Sequence, residues 1–305
     1  MRRKNKMSLD FVNKAIKKRN YLVSIMLLSP TLILLALFFI IPMILTIVFS
    51  FTNLSLTGEA AAHFHFSGLQ NFVNMLSDQN FYHSVLLTVL FVLLSAVFGQ
   101  CLLGFLIAFM MKGKNKNFRR VIGLIIISAW VIPEVVVAFC WVSMLSDQGT
   151  FNQFITFAFN IKPVAWLFEF PMVAVIIANV WRGTAFSMMV FQAALDDIPE
   201  EIEEAAIIDG ATRSQVLFRI TIPLMKGTIA TNIMLVTLQT IGVFSLIYTM
   251  TGGGPSNATA TLPVFMYQEA FVNYQLGYGT TISLAILIIG ALSSIIYIKV
   301  LKVEI

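Results

Sequence analysis

Charge is what this sequence has least of. Of its 305 residues only 11% are Asp, Glu, Lys or Arg, while 58% are hydrophobic. An ordinary soluble domain carries about 25% charged residues. A chain this poor in them cannot cover itself with polar groups in water. A lipid bilayer is its natural solvent, and the composition points to an all-α polytopic membrane protein with one helical domain. Cysteine is also scarce. Cys101 and Cys140 lie in apolar runs, with no partner at a metal-ligand spacing. That excludes a disulfide framework and reads as two buried thiols. His63 and His65 lack a third ligand for a metal site. No Ser, His and Asp stand at the spacing of a nucleophile motif, so no catalytic residue is assigned. A GxxxxGK[ST] loop is missing too, so the chain does not bind ATP in that way.

The net charge of +5 does not indicate nucleic acid. Eight basic residues crowd the first twenty positions: Arg2, Arg3, Lys4, Lys6, Lys14, Lys17, Lys18 and Arg19. Five more lie in KGKNKNFRR, Lys112 to Arg120. Both groups flank hydrophobic runs, where they read as topology signals and lipid-headgroup contacts.

Six apolar runs, near 21–50, 83–111, 121–145, 171–195, 226–250 and 279–301, are long enough to cross the hydrocarbon core. The first is too long for the ~7–15-residue core of a signal peptide. Its Pro30 and Pro42 predict kinks. Lys and Arg alternate sharply between connections. None lie in 51–82 or 251–278, one (Lys162) in 146–170, and Arg213, Arg219 and Lys226 in or beside 196–225. This predicts six crossings with both termini cytoplasmic. Residues 1–20 form a basic cytoplasmic N-terminus and 21–305 a six-helix domain. Segments 68–84 and 149–159 read as amphipathic surface helices on the outside.

One stretch breaks the apolar pattern. EEIEEAAIIDGATRSQVLFRITIPL, Glu200 to Leu224, and the two aspartates ahead of it hold Asp196, Asp197, Glu200, Glu201, Glu203, Glu204 and Asp209. Asp197 is placed to cap a helix whose first turn holds Pro199, Glu200 and Glu201. Gly210 is a left-handed stop. Thr212-Arg213-Ser214-Gln215 has the form of a capping box. The prediction is helix, glycine turn, helix, with Pro223 beginning the fifth span. On the residues alone, a well-capped solvated loop and a docking element both fit.

Glu204-Ala205-Ala206, three residues, Gly210, nine residues, then Ile220-Thr221-Ile222-Pro223 resembles the EAA loop of permease subunits of bacterial ABC importers, with Ile222 where leucine is commoner. Asp209 precedes the glycine. TGGGPSNATATLPVFMYQEAF, Thr251 to Phe271, followed by GYGTTISLAI, is similar to the carbohydrate branch and to the type of the larger maltose permease subunit. That protein's extra N-terminal helices and large external domain are lacking here. The resemblance runs from about Leu22 to Lys299. It implies the type I importer permease fold, a bacterial cell (inner) membrane, and passage of a sugar, with an oligosaccharide as the first expectation. The loop 196–225 would then couple to the motor. The implied partners are a second homologous permease forming a heterodimer, two ATP-binding cassette subunits carrying ATP and Mg, and an extracellular sugar-binding protein. A stand-alone ion-coupled transporter is the alternative. It would favour inverted repeats, which the sequence does not show.

Charges inside spans mark candidate sites. Glu134, after Pro133, and Arg182 are two, fitted either to pair across helices or to touch substrate. Asn179, Gly183 and Phe186 share a helical face, and Gln239, Thr240 and Val243 form a similar stripe. The resemblance matches these positions to the sugar-facing ones of the maltose permease. Val243 and Gln239 depart from it, standing for an asparagine and a phenylalanine. Ordinary helix packing through small and polar residues is the other reading.

Overall fold

A computed structural model describes residues 25–301. The basic segment 1–20, the first residues of the first predicted span and Lys302 lie outside them. Four helices are long and apolar enough to cross a membrane by themselves: α1 (Ile25–Ser50), α3 (Gln79–Met111), α7 (Pro171–Asp196) and α13 (Leu276–Leu301). Two bent pairs complete six crossings. In the first, α4 (Lys116–Val131) meets the helical stretch Glu134–Phe159 at 99°. In the second, α9 (Arg213–Leu224) meets α10 (Lys226–Ile241) at 67°. Among the described residues the one extended pairing is an isolated bridge between Thr52 and Phe66.

The apolar runs locate the crossings, but not the breaks within them. The third run is not one helix. Pro133 forces Ile132 into extended backbone, and α5 (Glu134–Leu145) then starts in a new direction. The fifth run, read as 226–250, is cut at Gly242. Val243 N–H closes a turn on Thr240 C=O at 3.2 Å. A separate helix, α11 (Ser245–Thr251), packs against α5. In α1 the chain loosens into a π turn at Ala36–Ile40, just ahead of Pro42.

The 68–84 stretch is likewise two helices. α2 (Gln70–Ser77) ends at Asp78, whose carboxylate accepts from Asn80 N–H at 2.8 Å and starts α3. On α2 Val73 and Leu76 are exposed, as on a helix lying at the surface, and Asn71 and Met75 are buried against the bundle. Asn71 earns that position by donating to the Ser50 and Thr52 carbonyls at 3.0 and 2.7 Å, which the end of α1 leaves open. α6 (Thr150–Phe159) forms as predicted. Its buried Asn152 bonds the backbone of Ser146 and Val164 and the Trp166 indole. Cys101 is buried, whereas Cys140 is exposed beside Val136 and Phe139.

The connection 251–278 is folded inward. Within it α12 (Leu262–Tyr267) buries Leu262, Val264 and Phe265 against α3 and α13. Leu262 N–H donates to Thr88 Oγ1 at 2.8 Å. Tyr278 O–H reaches Asp78 at 2.8 Å, and Ser55 O–H reaches the Tyr274 carbonyl at 2.8 Å. These bonds gather 51–78 and 268–278 at one end of the bundle. The connections 112–120 and 196–225 share the other end.

Candidate functional site

The acidic stretch folds into the predicted helix, turn and helix. α8 (Glu200–Ile208) carries Glu200, Glu201 and Glu203 in its first turn, where free amides favour acids. Its start differs from the expectation. Pro199, in extended backbone, is the residue before the helix, and no side chain caps it. Asp197 instead closes α7, its N–H donating to the Ala193 carbonyl.

The end of α8 is a Schellman turn. Ala211 N–H reaches the Ala206 carbonyl at 2.9 Å, and Gly210 N–H reaches Ile207 at 3.0 Å. This geometry needs a left-handed residue, and Gly210 supplies it with φ +85°. The capping box follows. Thr212 Oγ1 accepts from Gln215 N–H, and Gln215 Oε1 accepts from Thr212 N–H at 2.7 Å.

This element is tied to the body by Glu203. Its Oε1 accepts from Lys112 Nζ at 2.5 Å and from the buried Thr221 hydroxyl at 3.0 Å. Arg119 pairs with Asp196 in the same region. Outward, Glu204, Ala205, Asp209 and Pro223 are exposed, and Ala206 and Ile220 half-buried. Ile207 is 54% exposed and Ile208 85%. The result is an acidic surface with apolar centres at the end of the bundle, facing away from the spans.

The second feature is a polar seam inside the bundle. α3 is wound as a π-helix over Val92–Gln100. In an α-helix, at about 100° per residue, Ser95 and Gln100 would lie some 140° apart. The wider winding turns both toward α7. Asn179 Nδ2 donates to Ser95 Oγ at 2.9 Å, and Gln100 Nε2 donates to the Asn179 carbonyl at 3.3 Å. Gly183, one turn on, is where the Gln100 side chain lies. Farther along, the fully buried Asn232 of α10 donates to Ser187 Oγ at 3.0 Å and Cys101 Sγ at 3.3 Å. The seam thus stitches α3, α7 and α10. Between α5 and α7, Arg182 Nη1 meets Glu134 Oε1 at 3.3 Å.

A membrane bundle with such a capped acidic element between its fourth and fifth crossings has a known counterpart. Residues 100–301 match the binding-protein-dependent transport system inner membrane component family. The chain belongs to this family. As a permease of that kind it is 33% identical over 241 residues to the trehalose/maltose transport system permease protein MalF of Thermococcus litoralis, covering 77% of this chain and 79% of that one. It is 31% identical over 281 residues to the multiple sugar-binding transport system permease protein MsmF of Streptococcus mutans, covering 89% and 92%. A bacterial alginate ABC transporter, solved in complex with alginate pentasaccharide-bound periplasmic protein, shares its fold. The TM-score is 0.76 at 24% identity, over 94% of this permease and 98% of that chain.

The two stripes expected to line the pathway lie unevenly in the permease. Asn179, Thr240 and Val243 are buried, Gly183 and Phe186 partly so, and Gln239 exposed. Phe186 sits beside the Trp130 ring, with centroids 6.1 Å apart. Val243 lies past the end of α10, in the apolar cluster of Ala178, Leu246 and Ile247. Among the described residues no hydrogen bond joins the α7 stripe to the α10 stripe. Ser95, Gln100, Ser187 and Asn232 were not singled out from the sequence. Their signal was present: amides and hydroxyls in otherwise apolar runs, which helices in membranes turn toward one another.

Proposed function

We propose that this permease is the membrane-spanning subunit of an ATP-driven importer that passes a sugar, of oligosaccharide size, across the bacterial inner membrane by alternating access. The observation that carries this reading is the Glu200–Pro223 element. It is a rigidly capped helix pair that shows Ile207, Ile208 and acidic side chains to the outside of the bundle. An isolated bundle gains nothing by exposing Ile208. A partner cleft lined with basic and apolar groups would cover it.

ATP and Mg belong to two separate ATPase subunits, which seat on this element. A second, related permease completes a heterodimer, and an external binding protein delivers the sugar. The trehalose/maltose and multiple-sugar relatives support a carbohydrate. Both termini and the connections 112–120 and 196–225 are cytoplasmic, in keeping with their lysines and arginines. Asn179, Gly183, Phe186, Gln239, Thr240 and Val243 are proposed to line or shape the pathway. Of these, the partly exposed Phe186 and the exposed Gln239 are proposed to touch sugar, and Asn179 to hold α7 against α3.

The test is reconstitution of the two permeases with their ATPase subunits and binding protein in vesicles, with uptake of labelled maltose, trehalose and longer glucans measured. ATP-dependent uptake of at least one is the expected result. An assembly that takes up sugar without ATP, driven by an ion gradient, would overturn the proposal.

A further inference from the structure

The turn between α3 and α4 carries five cations, and they are not equivalent. Lys114, Lys116 and Arg120 are exposed, as topology signals and headgroup contacts would be. Among the described residues none of these three forms an ion pair. Lys112 and Arg119 are partly buried, and each meets an acid of the coupling region.

The two acids belong to different elements. Lys112, the residue that ends α3, reaches Glu203 in the first turn of α8 at 2.5 Å. Arg119, in the first turn of α4, pairs with Asp196, the last residue of α7. The Gln192 amide, with its oxygen turned to Arg119, accepts from the same guanidinium at 2.6 and 3.2 Å. Glu203 in turn accepts from Thr221, which is 1% exposed at the base of α9. A half-buried pair held by a third hydrogen bond resists water and salt better than an exposed one.

The covalent chain joins the coupling element to α7 and α10. Nothing covalent joins it to α3 and α4. We infer that Lys112 and Arg119 are positioning residues that strap α3 to the coupling element and α4 to the end of α7 that leads into it, so that a displacement of Glu200–Pro223 moves four crossings together. Two of the seven acids in the stretch, Asp196 and Glu203, are therefore read by this chain itself. The others remain for the partner. The inference rests on the proposed coupling role, and it adds which helices receive the motion.

The complete complex in nanodiscs tests it, with spin labels at the exposed Lys114→Cys, two residues past the strap at the end of α3, and at Ser214→Cys, on the coupling element. In the otherwise wild-type complex the label distance distribution stays narrow and unchanged between the nucleotide-free and ATP-bound states. Lys112→Glu broadens it and makes it respond to ATP. Adding Glu203→Lys restores the narrow distribution, because the pair is re-formed with the charges exchanged. Lys112→Gln, which neutralises without reversing charge, serves if Lys112→Glu does not reach the membrane. A single variant as narrow and as unresponsive as wild type overturns the inference, and so does a double variant as broad as the single. Failure of the ATPase subunits to co-purify with the wild-type permease would instead sink the coupling reading, and is seen before any distance is measured.

Discussion

Gly183 is the floor on which the Gln100 side chain lies: a methyl group there would fall 2.2 Å from Gln100 Cδ and 2.3 Å from its Oε1. Gln100 is 3% exposed. Gly183→Ala must therefore push α3 and α7 apart or break the Gln100 bond to Asn179. Overpacking of this kind costs about 1–3 kcal/mol. The melting temperature of the purified permease should fall, and Gln100→Ala in the same chain should recover most of the loss. An unchanged melt for Gly183→Ala would mean that the two helices are not packed this way.

The same seam shows what the sequence could and could not disclose. Hydropathy located the six apolar runs that the fold builds as four long helices and two bent pairs, because length and apolarity are what a crossing requires. The left-handed turn at Gly210 and the capping box at Thr212 were legible too, since both are local chemistry. Three features were not. Pro133 was readable as a helix-bending residue, but the size of the bend, 99°, depends on where α5 finds its packing partner, α11. The π winding of Val92–Gln100 has no compositional mark in a run of apolar residues. The inward fold of 251–278 places Leu262 at Thr88, 174 residues away. Asn179 illustrates the limit most directly. Its type and helical face were readable, but its Ser95 partner, 84 residues distant, required the fold.

The Arg182–Glu134 pair makes a different prediction. At 3.3 Å, with each side chain 24% exposed, it is a half-buried link between α7 and α5. Arg182 Nε is buried without a partner, so the guanidinium is imperfectly satisfied. Removing one charge leaves the other with no counter-ion, whereas removing both does not. Arg182→Met should lower stability by roughly 1–3 kcal/mol, below the figure for a fully buried pair because of that exposure. Arg182→Met with Glu134→Gln should be more stable than the single variant. Thermal denaturation checks the order. If the double variant regains stability but not uptake, Arg182 or Glu134 also touches the sugar.

The orientation can be read with an impermeant thiol reagent added to intact cells. Thr57, Gln153 and Ser256 are exposed in connections assigned to the outside, and Lys116 and Ser214 in those assigned to the inside. Cysteines replacing the first three should be labelled, in a background where Cys140 is replaced by serine. Those replacing Lys116 and Ser214 should react only after the membrane is permeabilised. Labelling of Ser214→Cys in sealed cells would place the acidic element outside and remove its proposed access to ATPase subunits.

Gly210 tests the coupling element itself. Its φ of +85° lies in the left-handed region, and no atom of the chain comes within 4 Å of where a side chain would begin. A substitution there meets no clash within this chain, so its cost is that of the backbone conformation. For a β-branched residue this is about 1–2 kcal/mol or more, and asparagine tolerates the region better. The expected order is therefore glycine, then Gly210→Asn, then Gly210→Ala, then Gly210→Val. The strain falls between two helices that must enter one cleft together, so it should appear in ATPase attachment and uptake. Membrane insertion should be unaffected, because Gly210 lies outside the apolar spans. At equal membrane levels, Gly210→Val should lower co-purification of the ATPase subunits or uncouple hydrolysis from uptake by roughly 5- to 30-fold, the factor that 1–2 kcal/mol represents. Should Gly210→Val and Glu204→Lys both retain normal attachment and uptake, Glu200–Pro223 would be a well-capped turn and nothing more.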